Sequence, residues 1–184
     1  MGKSYLFSIS KQFKYYKSLG NKTFDQISSE DIHWQHNNDS NSVAIIVKHI
    51  VGNMLSRWTN FLTEDGEKSW RNRDQEFIDT YTSKEEMLSA WEKGWQCLFI
   101  AIDALTNDDL ERIIYIRNQG HTVTEAINRQ LAHYSFHIGQ IVFLSKMIKD
   151  HEWASLSIPK GESKSYNENK FAKDKVKKHF TDDL

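Results

Sequence analysis

The sequence is short of the residues that would interrupt or cross-link a chain. Of its 184 residues one is proline, Pro159, so no proline breaks a helix before that position. One is cysteine, Cys97, which excludes an intramolecular disulfide and fits a reducing compartment. No Cys-x-x-Cys partner or adjoining cation marks Cys97 as a redox or nucleophilic group, and its neighbours Leu98, Phe99 and Ile100 predict a buried thiol. No apolar run reaches membrane-spanning length, and the N-terminus lacks the apolar stretch of a signal peptide. Met1-Gly2 opens the chain, but Leu6 stands where a myristoylation signal needs Ser or Thr. An excess of charge of one sign is also missing. Charged residues make up 27% and the formal net charge is −1, which does not supply the basic face that nucleic acid requires. These absences predict a soluble, cytoplasmic protein with neither membrane nor nucleic acid as a partner.

What is present is helical patterning and large apolar side chains, among them 6 Trp, 7 Tyr and 10 Phe. Leu6, Ile9, Phe13, Tyr16 and Leu19 recur at steps of three and four and predict a first helix over Tyr5–Leu19, closed by Gly20-Asn21 as a C-cap. A loop over 21–41 follows, with a short turn at Ser28–Asp31 and Trp34 anchoring it on the helices. Its His33 and His36 read either as ligands or as exposed loop histidines. Asn41-Ser42 offers an N-cap to a second helix, Val43–Leu62, whose first half is apolar nearly all round and therefore buried on most sides. Gly52 within it costs about 1 kcal/mol relative to alanine, which points to the close approach of a neighbour. The stretch 63–81 reads as a solvated loop, or as Trp70, Arg71 and Arg73 folded over a pocket mouth to hold an anion. Ser83 and Glu86 open a third helix in capping-box fashion, and Met87, Trp91, Trp95, Leu98, Ile102 and Leu105 form its core stripe.

Leu110–Tyr115 alternates well enough for a short strand, with a turn at Arg117–Gly120 and His121–Val123 as a partner strand or the entrance to the next helix. Thr122 or Thr124 can cap a fourth helix, Val123–Lys149. From Ile158 the chain is dominated by Lys, Ser, Asn, Glu and Asp and reads as a flexible tail with a short helix near Phe171–Phe180. Four amphipathic or buried helices, one small hairpin and no strand series define an all-α, four-helix bundle over 1–157 with a polar tail over 158–184.

The chemistry lies on the fourth helix. His133 and His137 are four apart, so they share a face, and Ile141, Leu144 and Ile148 continue that face inward. Beside the second helix, His49 can meet both. Three imidazoles without a fourth ligand describe a metal site with an open position, whereas structural zinc sites are closed by four protein ligands. On spacing alone, two hydrogen-bonded core histidines explain the pair as well. Tyr134 occupies the position where a zincin protease needs Glu, which argues against peptide hydrolysis by that route. Gln140 can orient an imidazole and Arg129 can pair with a substrate carboxylate; a core hydrogen bond and a surface arginine are the bland alternatives. His121 at the hairpin and Asn53 on the second helix are either pocket-rim groups or unrelated to it.

The segments Ser42–Met54 and Arg129–Gln140 resemble the DinB-like superfamily of metal-binding four-helix bundles, which includes bacillithiol and mycothiol transferases. Asp65-Gly66-Glu67-Lys68 and Trp70-Arg71-Asn72-Arg73-Asp74 resemble an uncharacterised branch of it. The resemblance covers roughly residues 5–150. It implies an up-down-down-up bundle, a frequent homodimer, and a divalent metal (zinc or nickel, or iron) held by His49, His133 and His137. It also implies a low-molecular-weight thiol as co-substrate. Three functions follow: a metal-dependent thiol S-transferase, a metal-dependent small-molecule hydrolase, and a non-enzymatic, stress-linked metal-binding or dimerisation module. No side chain is assigned as a catalytic group.

Overall fold

The computed structural model describes residues 2–183. Four long helices carry the fold: α1 (Gly2–Phe24), α2 (Val43–Trp58), α3 (Lys84–Asp103) and α4 (Val123–Lys149). Strands β1 (Ile113–Ile116) and β2 (Gln119–Thr122) form an antiparallel hairpin just before α4, and a short α5 (Ser163–Phe171) follows it. The expected mostly helical architecture with one hairpin is therefore the observed one.

Caps set three of the four helix starts. Ser42 accepts from Ile45 N at 3.2 Å and Ser83 from Glu86 N at 3.2 Å. Thr122 and Glu125 form a reciprocal capping box, so α4 starts where the sequence places it. The Glu86 carboxylate departs from the expected box by reaching back to Thr82 instead.

Pairs of contacts fix the sense of the bundle. Tyr5 bonds Asn128 and Gln26 bonds Ala154, so α1 and α4 run parallel. Lys84 reaches Ile27 and Trp91 reaches Asn21, so α3 runs against α1. Trp58 and Asn53 both meet Tyr134, while His49 meets residues up to His137, so α2 runs against α4. The result is up-down-down-up, with α2 packed on α3 and α4, and α1 on α4 and α3.

Every member of the α3 stripe is buried, from Met87 through Trp91, Trp95, Leu98 and Ile102 to Leu105. Side chains of this kind each contribute about 1.5–3 kcal/mol on burial. Phe13 from α1 sits at the centre, edge-on to Trp58 and Trp95.

Several expectations are corrected. Gly20 does not end α1, which continues to Phe24; it is glycine because a Cβ there would lie 2.5 Å from the Trp91 ring. The loop after α1 is anchored by the fully buried Ile32, whereas Trp34 is 37% exposed. Helix α2 stops at Trp58 rather than Leu62, because Asn60 turns the chain at φ 49° and the Ser56 and Arg57 side chains bind Gly66 O. Cys97 is half-buried, beside an apolar groove of ≈ 640 Å³ between α3 and the end of α2. The short tail helix is α5, earlier than expected, and residues 179–182 return to α1, where His179 meets Ser8 at 3.1 Å and Asp182 pairs with Lys11. No helix among the described residues is long and apolar enough to cross a membrane.

Candidate metal centre

The register of α2 against α4 creates the site. The buried Tyr134 hydroxyl donates to Asn53 Oδ1 at 2.9 Å and accepts from Trp58 Nε1 at 3.0 Å. With those turns locked, His49, one turn before Asn53, faces the His133/His137 pair. His49 Nε2 lies 3.3 Å from His133 Nε2, which lies 3.0 Å from His137 Nε2. The ligand atoms of all three lie within 4.8 Å of one another. His49 is buried; His133 and His137 are half-buried, at the edge of the core rather than inside it, so a small molecule can reach them.

The outer nitrogens decide what the inner ones are. His49 Nδ1 is 2.9 Å from Glu76 Oε2, and His137 Nδ1 is 2.7 Å from Gln140 Oε1. Both partners accept, which assigns the proton to Nδ1 and leaves the Nε2 lone pairs facing inward. Glu76 is ionised: burial works against its charge, but hydrogen bonds from His49 and Arg71 hold its carboxyl below the ordinary range. A single proton on His133 Nε2 could serve one of its two neighbours and would leave the other unmet. One divalent ion satisfies all three. At bond lengths of about 2.0–2.1 Å and near-tetrahedral angles, ligand nitrogens sit about 3.3 Å apart, close to the separations of His133 from His49 and from His137. Burial, followed by its histidine neighbours, pushes His133 down to about 3, and burial also lowers His137. Both rings are thus neutral near pH 7, the form that ligates metal.

Glu76 is the functional residue that the sequence did not reveal. It lies in the stretch expected to be a loop, in a 3-10 turn over Asp74–Phe77, and crosses α2 at Gly52. A Cβ on Gly52 would stand 2.7 Å from Glu76 Cδ, so the close approach expected there is that of this carboxylate. Arg71 grips the far side of Glu76 through Nε at 2.7 Å and Nη2 at 2.9 Å. Phe77 stacks on the His49 ring at 5.0 Å. No periodicity signals Glu76, because a contact spanning 27 positions out of an aperiodic stretch leaves no local pattern.

The remaining candidates divide. Gln140 contacts His137 directly, and Asn53, Arg71, Arg73 and Arg129 line a cavity of ≈ 220 Å³ that opens at His49 and His133. Trp70 is 59% exposed. His121 does not line the cavity; its Nε2 accepts from Arg129 Nη1 at 3.4 Å. His33 pairs with Asp79 at 2.7 Å, and His36 is exposed and takes no part in the cluster.

Comparison with known proteins adds one result. No match was found among the curated proteins. Residues 1–162 match the family model described as "Protein of unknown function (DUF1572)", and the chain belongs to that family.

Proposed function

We propose that the protein is a cytoplasmic, metal-dependent enzyme of the DinB-like superfamily that activates a low-molecular-weight thiol, as a bacillithiol-type S-transferase does. The observation that carries this reading is the convergence of three Nε2 atoms, two with their Nδ1 protons held by Glu76 and Gln140, and no carboxylate or thiolate joining the cluster among the described residues. One ligand on α2, two on α4 and the up-down-down-up sense support the superfamily assignment. A zinc, nickel or iron ion held there would supply a Lewis-acidic open position at which a thiol is deprotonated at neutral pH. In the transfer the S–H proton passes to solvent, the sulfur forms an S–C bond to the electrophile, and the leaving group departs with its electron pair. The chain holds His49 and His137 in one tautomer through Glu76 and Gln140 and leaves the cluster accessible from the half-buried side.

Thiol is favoured over water as the nucleophile because the nearby groups that could act as a general base are engaged. Glu76 is bound by Arg71 and His49, and the Tyr134 hydroxyl is enclosed between Trp58 and Asn53. A homodimer is supported by Phe136, Phe143 and Met147, exposed along one side of α4 at steps of seven and four.

The test is metal content by mass spectrometry on protein purified without a nickel column, followed by turnover assays with and without thiols. We expect about one ion per chain, lost in His49→Ala and His133→Ala, and turnover that needs a thiol. Turnover without thiol would favour the hydrolase. Metal-bound protein without any turnover would favour the metal-binding module, and wild type that resists metal loading would overturn both enzyme readings and leave a dimerisation module.

A further inference from the structure

Five arginines from separate parts of the chain border the small cavity beside the histidines: Arg57 on α2, Arg71 and Arg73 from the loop, Arg117 in the hairpin turn and Arg129 on α4. Like charges repel at such range, and solvent screens the buried Arg57 and the half-buried Arg71 least. The chain supplies only part of the counter-charge. Glu67 Oε2 takes Arg57 at 3.0 Å, Arg71 at 3.1 Å and Arg117 at 3.4 Å, and Glu76 takes Arg71. Asp65 sits behind the turn and is occupied by the backbone N–H groups of Glu67, Arg117 and Asn118. Among the described residues neither Arg73 nor Arg129 has a carboxylate within ion-pair distance. Arg73 lies over the Phe77 ring at 5.0 Å and Arg129 bonds His121.

Two further observations point to a ligand. Arg57 and Gln130 both line the cavity and are 5% and 3% exposed, yet Arg57 Nε and Gln130 Oε1 have no hydrogen-bond partner. Buried polar atoms normally find one.

We propose that this cavity anchors a small dianion, bearing its charge as two carboxylates or as a phosphate, and that this dianion is the substrate or the thiol itself. Guanidinium forks match both oxyanions in pairs of parallel hydrogen bonds. The cavity is small, ≈ 220 Å³, so the anchored part is a few heavy atoms rather than a polymer. Position ties it to the chemistry. His49 and Arg57 are eight apart on α2, and Arg129 and His133 four apart on α4, so each helix puts an arginine and a ligand histidine on the same wall. The role as substrate anchor rests on the metal-site reading; the anion site itself does not.

The experiment is calorimetric titration of the full chain with succinate, inorganic phosphate and acetate at fixed ionic strength, with metal content and melting temperature measured in parallel. Succinate or phosphate should bind at least tenfold more tightly than acetate, and the tighter of the two identifies which oxyanion the site takes. Arg73→Gln and Arg129→Gln should each weaken that binding at least tenfold, with metal content and melting temperature unchanged. Arg129→Lys should fall between, because it keeps the charge and loses the fork. Equal binding of succinate, phosphate and acetate, or binding indifferent to both arginine changes, would overturn the proposal while leaving a metal-loaded three-histidine site intact. Arginine-dependent dianion binding to a chain that takes up no metal would support the anion site and overturn the metal reading.

Discussion

At the scale of single residues, the quality of the candidate centre depends on groups one layer behind the ligands. Glu76 fixes the tautomer of His49 only because Gly52 leaves room for its carboxylate and Arg71 holds it there. Gly52→Ala should therefore act at a distance. The new methyl displaces Glu76, His49 Nδ1 loses its acceptor, and metal affinity should fall about 10–100-fold, the usual effect of losing such a partner. Competition with a chromophoric chelator measures this, and an unchanged affinity would show that Glu76 is not needed to hold His49. Away from the site, Asp109 titrates well below the ordinary carboxylate range. Hydrogen bonds from Thr106 N, Arg112 and Thr106 Oγ1 hold its carboxyl down at about 2. A depressed carboxylate stabilises the fold above its unfolded value of about 3.9, and that contribution fades as pH falls towards 2. Thr106→Ala removes one donor and should move the midpoint upward, read by carboxyl-carbon NMR.

At the scale of elements, intrinsic preference and packing compete, and α1 shows which wins. Glycine in a helix interior is disfavoured by about 1 kcal/mol relative to alanine, and the sequence accordingly suggests that α1 stops at Gly20. The helix instead runs to Phe24, because the bare glycine face lets the Trp91 indole lie against the backbone while Trp91 Nε1 donates to Asn21 at 2.8 Å. Gly20→Ala should destabilise despite the better propensity, by about 1–3 kcal/mol as in other overpacked cores, measured by urea unfolding. A neutral or stabilised variant would mean that the indole moves aside freely. The hairpin is an element whose existence was legible, from the alternation in 110–115 and the turn residues after it. Its tie to the rest was not: Asp65 clamps the turn through Arg117 N and Asn118 N at 2.8 Å each, and Gly66 N bonds Tyr115 O at 2.8 Å.

At the scale of the whole molecule, the bundle uses its inner surface for stability and one edge between α2 and α4 for the candidate chemistry. The outward side of α4 remains apolar at Phe136, Phe143 and Met147. Light scattering should give twice the chain mass of 21.6 kDa, and Phe143→Glu should reduce it to the monomer value. A wild-type monomer would refute the dimer.

The sequence by itself determined the helices, because their periodic apolar stripes and their caps at Ser42, Ser83 and Thr122 are local signals. Four-residue spacing also puts His133 and His137 on one face whatever surrounds them, and His49 joined them as what the family resemblance implies. The tertiary structure alone decided what stands around those histidines. Glu76, Arg57, Gln130 and Arg117 reach the site from a loop, two helices and a hairpin turn, and their convergence depends on the path of the backbone between them. No periodicity encodes such a path, so the candidate ligands, Gln140 and three of the cavity arginines (Arg71, Arg73 and Arg129) could be read from the sequence, while Glu76, Arg57, Gln130 and Arg117 could not.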